Sequence, residues 1–332
     1  MSRVINLGAA QMGPIAPDES RESCVSRMVD LIKQASSRGC SFVVFPELAL
    51  TTFFPRYYEE DISKMDDWYE KEMPNKATLP LFEAAADAKI GFYLGYAELT
   101  PEGRRFNTAI LVDQNGKIVG KYRKVHLPGH SEYDPKRPFQ HLEKRYFEPG
   151  DLGFGVWRQQ ESIMGMAICN DRRWPETYRV MGLKGVEMIT LGYNTPSVNN
   201  QDISEGPSKR HFHNRLVQQS GAYQNSTWVV GVAKAGIEDG NHMIGGSLII
   251  NPNGEIDNVN IKLNDWPLIQ NTLYEDSMLL DLLNMKGGDQ KWVGERRNDS
   301  DNRIKGGKPE ENVNVIGLEK VMSKYLKGTE KS

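Results

Sequence analysis

Met166-Ala-Ile-Cys169-Asn-Asp-Arg172-Arg173-Trp-Pro-Glu-Thr177 is the stretch on which the reading of this chain turns. An apolar run ends in a thiol, two guanidinium groups follow at once, and a helix-start signal comes next. A reactive residue at a strand end, ahead of an irregular turn and a helix, stands where α/β proteins place their sites. The neighbouring cations are expected to lower the thiol pKa and populate the thiolate.

Phe45-Pro46-Glu47 and Tyr122-Arg123-Lys124-Val125-His126 repeat the arrangement with other chemistry, each setting a charged group at the end of an apolar strand. The three stretches offer a nucleophile, an acid/base and a fixed cation. Hydrolysis of an amide-type C–N bond through a covalent intermediate needs those three groups. Cys24 falls within a helical pattern and Cys40 just before a strand, so both read as structural.

Residues 4–10 form a short apolar run that predicts a strand. Val25, Met28, Val29, Ile32 and Ala35 recur at helical spacing within 19–38, and Gly39 is a stop signal. Residues 41–45 read as a buried strand ended by Pro46, 79–89 as a helix and 90–97 as a strand. Apolar runs at 106–113 and 117–122 flank Gln114-Asn115-Gly116, a hairpin signal. Strands follow near 153–158 and 163–168, then a helix near 175–184 and a strand at 186–191. A helix near 208–224 precedes strands at 227–233 and 246–251. Asn251-Pro-Asn253-Gly254-Glu-Ile256 echoes Asp113-Gln-Asn115-Gly116-Lys-Ile118, each being a strand, an Asn-Gly turn and a return strand. Two such halves fit a pseudo-duplicated α/β fold with mixed strand pairing. Residues 125–152 and 193–207 are long and irregular, and loops of that kind usually carry function. From 284 the chain turns Gly-, Asp-, Arg- and Lys-rich and reads as a polar tail, with a short amphipathic candidate at 315–326.

Composition narrows the classes. The 332 residues are 39% hydrophobic and 26% charged, with 41 basic and 44 acidic residues and a net charge of −3. That balance excludes nucleic-acid binding by bulk electrostatics. No window approaches the roughly 18 uninterrupted apolar residues of a membrane span. The first residues lack the apolar core of an export signal. Three widely spaced cysteines without such a signal predict free thiols in a reducing, cytoplasmic setting. No CxxC pair, zinc-spaced cluster or Walker-type glycine loop occurs, which disfavours a zinc or a nucleotide site.

Longer stretches carry a family resemblance. They are Phe45-Pro-Glu-Leu-Ala-Leu-Thr-Thr-Phe-Phe-Pro55, residues 120–130, residues 138–150, Cys169-Asn-Asp-Arg-Arg-Trp-Pro-Glu-Thr177 and Tyr193-Asn194-Thr195-Pro196. With them the chain resembles the nitrilase superfamily of C–N hydrolases and, within it, the N-carbamoyl-D-amino-acid hydrolases. The likeness covers residues 3–260, and the subgroup's usual C-terminal pattern is not recognisable after 265. It implies a four-layer α-β-β-α sandwich with internal pseudo-duplication over residues 3–283, followed by a divergent tail at 284–332.

The resemblance also implies roles. Glu47, Lys124 and Cys169 would form the catalytic triad, with the Asn170 backbone N–H joining Lys124 against the oxyanion. Glu143 would orient Lys124 and contact the ureido nitrogen, with His126 and His141 flanking it. Arg172 and Arg173 would grip the substrate carboxylate, with Asn194 and Thr195 at the same end. The implied substrate is an N-carbamoyl-D-amino acid, cleaved to the amino acid, carbon dioxide and ammonia with no metal or organic cofactor. The implied assembly is a dimer or tetramer, with no nucleic-acid or membrane partner. Another amidohydrolase of the superfamily, or a non-catalytic binding scaffold, are the alternatives.

Overall fold

A computed structural model of the chain describes residues 5–137, 139–199, 202, 204–256 and the backbone of 277–283. All of them fall in the first of two units, which divide after Lys286. The tail expected at 284–332 and its amphipathic candidate lie outside the described residues.

Strand β1 (Ile5–Gln11) leads into helix α1 (Arg21–Ser37), opened by Ser20, whose side chain accepts the Ser23 N–H. Strand β2 (Phe42–Val44), helix α2 (Leu79–Asp87) and strand β3 (Gly91–Leu99) follow, then strands β4 (Arg105–Val112) and β5 (Ile118–Arg123). A short helix α3 (Glu143–Tyr146) lies inside the long loop. The second half runs β6 (Val156–Gln159), β7 (Ser162–Ile168), α4 (Pro175–Leu183), β8 (Met188–Tyr193) and α5 (Pro207–Asn225). It continues with β9 (Trp228–Ala233), β10 (Ala235–Glu238), β11 (Asn241–Ile244), β12 (Leu248–Ile250) and β13 (Ser277–Leu283).

The expected duplication appears in the strand pairing. One sheet has the order β13-β1-β2-β3-β4-β5 and the other β12-β9-β8-β7-β6. In the first, β13 to β1 is antiparallel, β1 to β2 and β2 to β3 are parallel, and β3 to β4 is antiparallel. The second repeats this from β6 through β7, β8 and β9 to β12. The echoing turns are also equivalent, with Gly116 and Gly254 both at positive φ.

Period-2 alternation separates the layers. Leu7, Ala9, Phe42, Val44 and Tyr93 face the second sheet, whereas Ala10, Val43, Phe45, Phe92 and Leu94 pack with α1 and α2. Tyr178, Met181 and Ala222 bring α4 and α5 onto the second sheet. The result is the expected α-β-β-α sandwich, and a fully buried aliphatic or aromatic side chain in it contributes ~1.5–3 kcal/mol. Among the described residues no helix is long and apolar enough to cross a membrane.

The β10–β11 hairpin was not anticipated. Its signal was present in Asp239-Gly240, both at positive φ, as a two-residue hairpin turn requires. The 3-10 segments Phe54–Arg56 and Ile62–Trp68 were likewise unread, being too short to show a period.

Candidate active site

Glu47 follows β2 at the centre of the first sheet. Its backbone is pinched between two glycines, one from each sheet. A Cβ on Gly95 would lie 2.8 Å from Pro46 O; one on Gly192 would lie 2.7 Å from Pro46 C and closer still to Glu47 N. Only glycine leaves room there. Tyr93 stitches the sheets together beneath, its hydroxyl donating to Ala167 O at 3.0 Å and accepting from Gly192 N at 3.2 Å.

The Glu47 carboxylate is fully buried and held on both oxygens. Oε1 accepts from Lys124 Nζ at 2.7 Å and from Asn107 Nδ2 at 2.8 Å, and Oε2 from the Asn194 backbone N–H at 3.0 Å. Asn194 Nδ2 also donates to Glu47 O at 2.6 Å.

Lys124 comes off the end of β5 and is also fully buried, its Nζ reaching Glu143 Oε2 at 2.5 Å. Burial opposes its charge, but Cys169, Glu143 and Glu47 more than offset this and hold its pKa above the ordinary lysine value. Burial likewise opposes the Glu143 charge, yet Lys124 and His141 keep its pKa below the carboxylate norm. His141 Nε2 lies 2.9 Å from Glu143 Oε1, and its ring meets the edge of Phe53 at 5.4 Å.

Cys169 directly follows β7 with φ at 47°, where the chain turns into a 3-10 helix, Cys169–Arg173. Asp171 secures that turn. It accepts from Ile168 N at 3.0 Å, Tyr122 Oη at 2.7 Å and His126 N at 2.9 Å, and lies 2.9 Å from His126 Nδ1. His126 therefore supports the turn, stacked between Phe154 and Trp174, while His141 supports Glu143. The role of Asp171 was missed, since a charge two residues past a thiol looks like a solvated loop group.

The thiol pKa is raised, contrary to the sequence expectation. Burial is the main cause and Glu47 reinforces it; Lys124 and Arg172 offset this only in part. Desolvating a thiolate costs more here than the nearby cations return. Burial thus favours the thiol form of the sulfur. Glu47, Glu143 and Cys169 bring ligand atoms within 4.8 Å of one another. Lys124 Nζ, bonded to both carboxylates, puts a fixed positive charge in that space, so the set does not suit a metal ion.

A cavity of about 100 Å³ opens on Cys169, lined by Asn170, Arg172, Arg173, Asn194, Thr195 and Arg210 among others. The two adjacent arginines differ. Arg172 is 2% exposed and committed: Nε donates to Asn214 Oδ1 at 2.8 Å, Nη2 to Thr195 Oγ1 at 2.8 Å and Nη1 to Cys169 O at 2.5 Å. Tyr193 covers its face at 4.6 Å. Arg172, expected to share with Arg173 in gripping the substrate carboxylate, thus has most of its N–H donors met by the protein. Arg173 is exposed and lines the same cavity. Desolvation there, then repulsion from Arg172 and Arg210, draws its pKa down to about 10. Asn194 is engaged with Glu47, whereas the Thr195 hydroxyl accepts from Arg172 and keeps its own O–H to donate.

Arg210 and Asn214 were absent from the sequence reading. Their signal is a buried polar row, Arg210, Asn214 and Gln218, at four-residue spacing on α5 where an apolar stripe is the norm.

Comparison with known proteins agrees with this geometry. A family profile for carbon-nitrogen hydrolases matches residues 6–264. The chain is 30% identical over 255 residues to a nitrilase of Pyrococcus abyssi, covering 76% of this chain and 84% of that protein. It is 27% identical over 265 residues to an N-carbamoylputrescine amidase of Solanum lycopersicum, covering 77% and 81%. A carbon-nitrogen hydrolase from Helicobacter pylori shares the fold, with a TM-score of 0.72 at 20% identity over 95% of this chain and 97% of that one. With the profile spanning both sheets, the chain belongs to the carbon-nitrogen hydrolase family and hydrolyses amide-type C–N bonds.

Proposed function

We propose that the chain hydrolyses N-carbamoyl-D-amino acids to the amino acid, carbon dioxide and ammonia, with Cys169 as nucleophile, Glu47 as acid/base and Lys124 as oxyanion partner. The observation that carries the substrate class is the crowd of guanidinium groups, Arg172, Arg173 and Arg210, around the cavity that opens on Cys169. Such a site favours a substrate with a free carboxylate, and Arg173 is the group best placed to meet it. It disfavours a carbamoylated amine that ends in a cation, the kind of substrate named for the Solanum relative. The preference for the D configuration rests on the resemblance of the long sequence stretches.

In this reading Glu47 takes the Cys169 proton, sulfur attacks the ureido carbon, and Lys124 with the Asn170 backbone N–H meets the charge on oxygen. Glu47 returns the proton to the departing ammonia, then deprotonates the water that releases the carbamate. The carbamate loses carbon dioxide. Glu143 keeps Lys124 in place, and His141 keeps Glu143 in place. Work in the cytoplasm without a cofactor, as a dimer or tetramer, belongs to the same proposal.

The test is ammonia release from D- and L-N-carbamoylphenylalanine and from a neutral amide, with wild type and Arg173→Gln. We expect turnover of the D compound and a KM raised about tenfold or more by Arg173→Gln, since a charge-assisted hydrogen bond is worth ~1.5–3 kcal/mol. The neutral amide should be nearly indifferent to that change. Turnover of the neutral amide with none of either carbamoyl amino acid would refute the assignment.

A further inference from the structure

Arg172 is a buried guanidinium held only by neutral groups: an amide oxygen, a hydroxyl, a backbone carbonyl and the face of Tyr193. Among the described residues no carboxylate lies within ion-pair distance of it. A buried charge without a counter-charge is costly, so a neighbouring group that turns anionic would relieve it. Lys124 is not in that position, because two carboxylates already neutralise it. The Cys169 sulfur, which becomes an anion when the thiol loses its proton, lies 3.7 Å from Nη1 and accepts from it.

We propose that Arg172 is a catalytic residue whose task is to hold the negative charge on Cys169 Sγ, leaving Arg173 to meet the substrate anion. The inference rests on Cys169 being the nucleophile and is independent of which amide is cleaved. When the S–H bond breaks, the proton passes to a Glu47 carboxylate oxygen and both electrons stay on sulfur. That pair forms the bond to the carbonyl carbon and returns to sulfur when water displaces the enzyme. In both intervals the Nη1–H faces the charge. The bond from the same nitrogen to Cys169 O holds the guanidinium to the strained turn, so donor and sulfur move together. Asn214 and Thr195 fix the other edges of the fork and act as positioning residues.

The experiment is the pH dependence of Cys169 alkylation by iodoacetamide, which needs no substrate, read by mass spectrometry on the full chain. Arg172→Gln should slow alkylation at pH 7 about tenfold and move the profile up by about one pH unit, one unit being a tenfold change in thiolate. Arg172→Lys keeps the charge but loses the fork, and Asn214→Ala frees one edge; each should give a smaller shift in the same direction. Thermal melts identify variants that fail to fold, and if Arg172→Gln is among them the two milder variants decide the matter. Folded variants whose alkylation profiles superimpose on wild type, with only KM for carboxylate substrates raised, would overturn the proposal and return Arg172 to the carboxylate. A shifted profile in a protein that ignores carbamoyl amino acids would leave it standing while removing the substrate assignment.

Discussion

Gly192→Ala should cripple the enzyme without any new group entering the active-site cavity. The added Cβ would meet Pro46 C at 2.7 Å and Glu47 Cα at 3.1 Å, all backbone, where ordinary contacts begin near 3.4 Å. The neighbours cannot rotate away, so the Glu47 segment must move by most of an ångström. Overpacking of that kind costs ~1–3 kcal/mol in stability. Activity should suffer more. Glu47 holds bonds of 2.7 Å to Lys124 and 3.0 Å to Asn194 N that such a shift breaks or stretches. A displacement of about 1 Å at a reacting group costs on the order of 100-fold in rate. The assay is kcat from ammonia release alongside a denaturant melt, with Gly206→Ala as control, since its Cβ would meet nothing within 4 Å. A Gly192→Ala enzyme with wild-type kcat would refute the idea that the two sheets pinch the acid/base into place.

Three other outcomes follow from the same geometry. Lys124→Arg should lower kcat by roughly 100- to 1,000-fold, because a planar fork cannot replace a point charge bonded to two buried carboxylates and one oxyanion donor is worth about 3–4 kcal/mol; steady-state ammonia release measures it. Tyr122→Phe removes the hydroxyl that donates to Asp171 and accepts from Val125 N, and should cost ~1–3 kcal/mol in a urea melt. Glu98 has its pKa held at about 2, although burial pushes the other way, by Arg123, Lys121 and Thr108. An unfolded glutamate titrates near 4.5, so the stabilisation is complete above that pH and is lost as pH falls toward 2. It amounts to at most about 3 kcal/mol. Melts of wild type and Glu98→Gln should differ at pH 7 and converge near pH 2, and a constant gap would count against the assignment.

Much of the fold was legible because its signals are local. The apolar spacing of Val25, Met28 and Ile32 marks α1, and Asn115-Gly116 marks the β4–β5 turn. The runs at 41–45 and 90–97 mark strands, but which of the two cores each side chain enters came only from the packing of the sheets. The hairpin at Asp239-Gly240 shows the limit, since four-residue strands carry too little period to be seen. Arg172 shows another: from sequence it is one of two equal guanidinium groups, and its difference from Arg173 lies in Asn214, 42 residues away.

What the sequence by itself determined is which groups stand at strand ends, Glu47, Lys124 and Cys169, and which order of strands and helices delivers them. That much follows from local periodicity and chain breaks. Only the tertiary structure decided their partners and the direction in which the Lys124 and Cys169 pKa values move. The raised thiol pKa comes from burial, a property of the packed sandwich and not of the two arginines beside it in the chain. The acid/base is set by Asn194, 147 residues distant, and by glycines from opposite sheets. Desolvation and hydrogen-bond direction depend on atoms brought together across the fold, and no one-dimensional pattern records them.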